Sequence, residues 1–346
     1  MRKIKLGLSI FAFAIAFMSC NSNKREIKNV IVEEIAIDST SIRAIHTAKD
    51  STMIYATSDG YIGLVFPNNK ILKSKQATYD TIIPHFRAIA STKDYIYALS
   101  VGNPALLYQY QNDSLKIVYK EEHQKVFYDA MAFFDENSGI AMGDPTDDCL
   151  SIILTHDGGN TWNKIPCSKL PKVEESEAAF AASNTNIAII GNNAWIATGG
   201  KKARVFHTPD KGENWEVYET PITQGEQMTG IYSIDFYDVK NGIVIGGNWN
   251  EKDNNKANKA TTNDGGKTWQ LVADGEEPGY KSCVQYVPNT NGKEIVAVGT
   301  TGISFSRDGG NSWQKVSDKQ FYTIKFVNEN FAWLAGNSKI GKLIFE

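Results

Sequence analysis

From about residue 30 onward the chain alternates between short apolar runs and polar turns rich in Gly, Asn and Asp. The runs are too short for helices and are rich in Ile, Val, Phe, Tyr and Trp, which is a strand signature. One type of run ends in Gly and recurs seven times: Met53–Gly60, Tyr95–Gly102, Gly139–Gly143, Ala194–Gly199, Gly242–Gly246, Glu294–Gly299 and Ala332–Gly336. Ahead of each lies a second short run: Ile42–Ile45, Phe86–Ile89, Tyr128–Phe133, Glu177–Phe180, Tyr232–Phe236, Ser282–Tyr286 and Tyr322–Phe326. A third and a fourth strand follow each pair. The pattern predicts an all-β chain, a seven-bladed β-propeller of four-stranded antiparallel blades. Residues 36–346 then supply roughly 44 residues per blade, a normal length for such a repeat. The last unit runs out at Glu346 after three strands, and Val30–Ile37 is an unassigned strand near the N-terminus. The expectation is that this strand completes the last blade and closes the ring, which removes the two edges an open array would expose.

Between the third and fourth strands of four units sits one motif, [Ser/Thr]-x-Asp-x-Gly-x-[Thr/Ser/Asn]-Trp. It places Asp157 with Trp162, Asp210 with Trp215, Asp264 with Trp269 and Asp308 with Trp313. The Asp positions step by 210−157 = 53, 264−210 = 54 and 308−264 = 44. An Asp carboxylate accepts backbone N–H bonds a few residues on, and Gly supplies a left-handed backbone position without a Cβ clash. The Trp buries a large apolar surface against neighbouring strands. The motif therefore reads as a structural hairpin turn rather than a catalytic centre. In the first two units its place is taken by Pro67-Asn68-Asn69 and Gln111-Asn112-Asp113. Two polar insertions, 168–176 and 248–259, interrupt the repeat, and no helix of any length is signalled.

The first thirty residues differ from the rest. Met1–Lys5 is basic, and Leu6–Met18 is an apolar stretch too short to span a bilayer as a helix. The stretch ends at Phe17-Met18-Ser19-Cys20, which resembles a bacterial lipobox. The expected organisation is a lipoprotein signal peptide over 1–19, lipidated Cys20 and a polar tether over 20–28, and a single propeller over 29–346. The protein is then exported and held in the bacterial cell envelope by lipid alone, at the periplasmic or outer-membrane face. A net charge of −3 leaves no electrostatic footprint for nucleic acid. In the Asp157 hairpin, Thr155 faces Trp162, so paired positions sum to about 317. Cys149 and Cys167 sum to 316, which puts them nearly opposite each other, either as a disulfide or as two reduced thiols. Cys283 reads as a core residue. No Cys-x-x-Cys or His-x-x-x-His spacing supports a zinc site.

The turn motifs resemble the Asp-box (BNR) repeats of the sialidase-like propeller superfamily. Within it, the chain is similar to bacterial lipoproteins resembling the photosystem II stability/assembly factor. The phrases that carry this likeness are Asp129–Phe133, Gly139–Pro145, Glu177–Ala182, Thr198–Phe206 and Tyr280–Val284. The resemblance implies a binding platform for partner proteins, with no established catalytic residues to carry over. Some relatives bear an oxidoreductase label, but no Gly-x-Gly-x-x-Gly opens a helix here, so no dinucleotide site supports it.

Strand direction places the candidate site. If the Asp-box turns join third and fourth strands, then the starts of the innermost strands lie on the opposite face, around the central channel. Those starting residues are Arg43, Arg87, Asp129, Glu177, Tyr232, Ser282 and Tyr322. Adjoining loops add Arg204, Lys281 and Trp249. One reading is a wet channel across which the charges neutralise each other. The other is a site for a protein partner or a polar small ligand, with Trp249 and Tyr322 as aromatic anchors, on a non-enzymatic, monomeric module. The alternative function is a sialidase-like glycoside hydrolase. It would use Tyr322 and Glu177 as the nucleophile pair, Asp129 as acid, and Arg43 and Arg87 for the substrate carboxylate. Phe86-Arg87-Ala88-Ile89 lacks the Pro of the sialidase Phe-Arg-Ile-Pro motif, and the third arginine has only Arg204 as a candidate. Asp144, Asp147 and Asp148 offer oxygen ligands of the type calcium takes, but three acids fall short of its six to eight.

Overall fold

The computed structural model describes residues 25–346, and the apolar runs form antiparallel strands throughout. Cys20 and the signal segment lie outside the described residues. Among the described residues the sole helical element is a 3₁₀ turn at Cys167–Lys169. The strands associate in four-stranded antiparallel units in which sequence neighbours pair. In one such sheet Tyr128–Phe133, Gly139–Gly143, Ser151–Thr155 and Asn163–Lys164 lie side by side in chain order. The second strands are buried along their whole length in several units, Met53–Thr57 and Ile295–Gly299 among them. The fourth strands are exposed or half-buried, as at Ile71–Lys73 and Glu216–Glu219. This gradient from buried inner strands to a wet outer strand is the packing expected of a propeller blade.

Two strands of the N- and C-terminal regions meet. Val30–Thr47 is one long strand with two partners: Val30–Ala36 pairs with Asn337–Phe345, Val30 opposite Phe345, and Ile42–Thr47 pairs with Met53–Thr57. The register shifts between Ala36 and Ser41, where the chain passes from one partner to the other.

The main core clusters lie between adjacent units, and four of them include the Trp of an Asp-box turn. Gly159 has φ 88°, and a Cβ there would fall 2.4 Å from the Tyr97 ring of the preceding unit. The Tyr97 hydroxyl donates to the Gly158 carbonyl. In a later turn the Trp195 indole N–H of the preceding unit donates to the Gly265 carbonyl at 2.8 Å. The motif thus fastens its own hairpin and also docks on the neighbouring one.

Cys149 and Cys167 form a disulfide with Cα atoms 5.4 Å apart. The pairs Ile153–Lys164 and Leu154–Asn163 have the position sum read from the hairpin. Cys283 is a buried free thiol.

One strand assignment is corrected. Glu177–Phe180 is not the first strand of its unit. Only Glu177–Ala178 is extended, pairing with Gly199–Gly200 at the edge of a neighbouring sheet, and the first strand is Ile187–Ile190. The residues between them, Ala179–Asn186, leave the blade and enter the axis.

Candidate functional site

The axis is occupied by the chain itself. An innermost propeller strand has one edge with no strand partner, and its N–H and C=O groups need other partners. The segment Phe180–Asn186 supplies several. The Asn184 amide donates to the Ile89 carbonyl (2.9 Å), and its oxygen accepts from the Met131 N–H (3.0 Å). The Ser183 hydroxyl donates to the Ser282 carbonyl (2.7 Å), and the Thr323 hydroxyl donates to the Ser183 carbonyl (3.1 Å). Thr185 shares a 2.7 Å hydrogen bond with Ser233, and its carbonyl accepts from the Ile234 N–H at 2.9 Å. Small residues fit this crossing, and Asn184 takes the left-handed φ of 59° that Asn tolerates. The expected wet channel is corrected accordingly: a polar plug ties the inner strands together.

Arg43 and Arg87 come together on this plug. Arg87 Nη1 donates to the Ala181 carbonyl at 2.7 Å and Arg43 Nη1 to the Ala182 carbonyl at 3.2 Å. Arg87 Nε donates to His85 Nε2 at 2.9 Å, which requires that His85 nitrogen to be unprotonated. Burial, with the charges of Arg87 and Arg43, holds His85 down to about 4. Burial and the Arg43 charge together pull Arg87 down to about 10. Arg43 also lies 3.8 Å over the Tyr322 ring, a cation–π contact. Both arginines remain half-buried rather than sealed. Tyr322, which Arg43 covers, also lines a groove of about 680 Å³ whose other walls include Glu34, Asp318, Gln320, Asn337 and Lys339.

Asp129, which feels the Arg87 charge, is fully buried, with no hydrogen bond to either carboxylate oxygen among the described residues. Burial raises it well above the usual carboxylate range; Asp144 raises it further, and the Arg87 charge partly offsets both. Asp144 accepts the Ala179 N–H at 2.8 Å, and burial pushes it up to about 6. Burial of two close negative charges is costly, so simultaneous ionisation of the two acids is disfavoured.

The other ring residues are engaged elsewhere. Glu177 and Arg204 are buried and pair with each other: Arg204 Nε reaches both carboxylate oxygens at 3.1 Å and Nη2 reaches Oε2 at 2.5 Å. Thr198 donates to the same carboxylate at 2.6 Å, and the Glu174 N–H at 2.9 Å. This pair braces the loop around it and does not point into the axis. Ser282 is buried, and its hydroxyl donates to the Tyr322 carbonyl at 2.7 Å. Tyr232 is buried, stacks on Phe180 with ring centroids 3.9 Å apart, and donates to the Met228 carbonyl. Trp249 packs edge-on to Tyr280 at 5.2 Å, under the Lys252 ammonium at 3.8 Å. Two candidate constellations do not assemble. Tyr322 and Glu177 share no hydrogen bond among the described residues, and the Glu177 carboxylate is committed to Arg204, so the glycosidase pair is not formed. Asp144 turns toward Ala179, away from Asp147 and Asp148, which cluster instead with Cys167 of the disulfide. Asp148 pairs with Lys172 at 2.8 Å.

Sequence reading missed His85, Phe180, Tyr280 and the plug. The available signal was that two apolar runs, Glu177–Phe180 and Ile187–Ile190, compete for one strand position with a polar Ser-Asn-Thr-Asn between them.

A β-propeller with Asp-box turns defines the class of protein. Residues 111–225 match the family described as Photosynthesis system II assembly factor YCF48. The chloroplastic photosystem II stability/assembly factor HCF136 of Arabidopsis thaliana is 36% identical over 66 residues, which is 19% of this chain and 15% of that protein's length. Among solved structures, YCF48 bound to D1 peptide superposes with a TM-score of 0.65 at 13% identity, over 93% of this chain and all of that one. A streptogramin B lyase superposes at 0.67 with 14% identity, over 93% of this chain and all of that one. At those identities the structural matches speak for the fold. The chain has a β-propeller fold, and over residues 111–225 it resembles the YCF48-type photosystem II assembly factors.

Proposed function

We propose that this protein is a non-enzymatic recognition module that binds a polypeptide segment of a partner at the face opposite the Asp-box turns. It serves as an assembly or stability factor for an envelope complex. The observation that carries the reading is the Arg43–Arg87 pair. Two half-buried guanidiniums rest on plug carbonyls beside the groove at Tyr322, each with donors to spare. The relatives support a protein as partner, since they are described as assembly factors and YCF48 has been solved with a peptide. In this reading the ring has seven blades, with Val30–Ala36 as the outermost strand of the last. The protein acts as a monomer, is exported, and is anchored in the envelope through lipid on Cys20.

The test is affinity capture. The bait is the chain from Asn21 onward, incubated with detergent-solubilised envelope proteins and read by mass spectrometry. A parallel bait carries Arg43→Ala and Arg87→Ala and is checked for an unchanged cooperative unfolding transition. The reading predicts a specific prey that the double variant loses. A prey retained in full by the folded double variant would overturn the assignment of the surface.

A further inference from the structure

The first described residues, 25–29, are held in a built dock on the Asp-box side. Arg25 Nη1 lies 3.3 Å from Glu294 Oε2, and its guanidinium sits 4.9 Å from the Phe345 ring centroid. Arg307, next to Asp308 in the last Asp-box turn, donates to the Arg25 carbonyl and reaches Glu294 Oε1 at 3.4 Å. The Glu294 side chain is 7% exposed, so two arginines converge on one buried carboxylate. The Lys28 and Asn29 N–H groups both donate to the Glu346 carbonyl. From there Val30–Ala36 runs to the opposite face, where Asp38 meets Lys73 at 3.5 Å and the chain turns toward Arg43. The chain therefore enters the propeller through the Asp-box face.

We infer that the anchored protein stands with its Asp-box face toward the bilayer and presents the Arg43–Arg87 face away from it, to a hydrophilic extramembrane segment of its partner. This deepens the proposed function and rests on its lipid anchor. Arg25 lies 25−20 = 5 positions after Cys20, a span of at most roughly 17 Å when fully extended. An inner strand of six residues such as Phe86–Ser91 adds roughly 20 Å between the two faces. A membrane-embedded helix of a partner cannot reach Arg43 or Arg87 in that geometry, whereas a tail or loop projecting from the membrane can. The Asp-box face also carries the Asp157, Asp210, Asp264 and Asp308 carboxylates, each held by turn hydroxyls, so it does not bury itself in lipid.

The experiment is depth-dependent quenching in vesicles whose lipid headgroups carry a quencher. A single cysteine is introduced at Lys267→Cys on the Asp-box face or at Lys201→Cys on the other, and labelled with a fluorophore. Cys283 is buried and Cys149–Cys167 is oxidised, so neither competes for label. Two attachments are compared: the chain as purified with its native lipid, and a chain with Cys20 replaced by an N-terminal hexahistidine on nickel-chelating lipid. The expected result is several-fold stronger quenching at 267 than at 201 on both attachments. Equal or reversed quenching on both overturns the inference. If the mass of the N-terminal peptide shows no lipid on Cys20, the anchor reading fails on its own, and the nickel-lipid arm still reports which face the N-terminus serves. Glu294→Gln with Arg307→Ala, which opens the dock, is expected to reduce the difference between the two positions.

Discussion

At the scale of single residues, the Asp-box carboxylate holds a turn together. Asp157 Oδ1 accepts from the Thr155 hydroxyl and the Thr161 N–H, both at 2.9 Å, and Oδ2 accepts from the Thr161 hydroxyl at 2.7 Å. The Thr155 hydroxyl accepts from the Gly159 N–H in turn, and the Trp162 indole closes on the Gly159 carbonyl. Asp264 repeats this set with Thr262 and Thr268. Burial pushes Asp264 up, but the Thr268 hydroxyl and N–H more than offset it and leave its pKa lowered. The sign follows: a lowered carboxylate adds stability above the unfolded value near 3.9 and loses it as pH falls through the folded value. Asp264→Ala is expected to cost roughly 1–3 kcal/mol at pH 7 in urea unfolding, with the penalty shrinking toward pH 3. Asp129 works in the opposite sense. Its pKa is raised, so the stability it contributes is present below about pH 4 and is lost as pH rises toward the folded value. Relative to Asp129→Asn, the native protein is expected to lose up to about 1.4 kcal/mol per pH unit over that interval. Equal pH dependence of the two proteins would show that Asp129 is ionised in the folded state.

At the scale of elements, the hairpins were legible because the chemistry of the turn is local. Asp, Gly and Trp at fixed offsets specify one backbone path, and the position sum of the Asp157 hairpin led directly to Cys149 opposite Cys167. The bridge closes a loop with a sequence separation of 18, so reducing it is expected to lower stability by about 3 kcal/mol, measured as a shift in urea midpoint. The plug was not legible, because its partners come from distant units. Nothing near Asn184 in the sequence indicates that its amide bonds Ile89 and Met131. The same limit applies to Glu177: its type and position fitted an inner strand, but a salt bridge to Arg204 across 27 residues decides where it sits. Arg204→Ala leaves the Glu177 carboxylate buried without its cation and is expected to destabilise by about 3–5 kcal/mol. Arg204→Ala with Glu177→Gln should recover part of that loss, which a double-mutant cycle would measure.

At the scale of the whole molecule, the two faces differ in kind. The Asp-box face is a set of self-satisfied turns together with the dock for Arg25. The other face gathers Arg43, Arg87, Tyr322 and the groove on top of a plug that keeps the inner strands in register. Strand direction follows from the hairpins alone, and it sets Arg43, Arg87 and Tyr322 at the end of the inner strands opposite the Asp-box turns. The sequence did not show which of seven ring residues remain available, because that depends on what each one meets across the axis. The most direct test of the account is site-specific photo-crosslinking in intact envelopes, with a benzophenone amino acid at Gln320 beside the arginine pair or at Lys267 on the Asp-box face. The account predicts a discrete protein adduct from position 320 that disappears with Arg87→Ala, and none from position 267. An adduct confined to position 267 would contradict it.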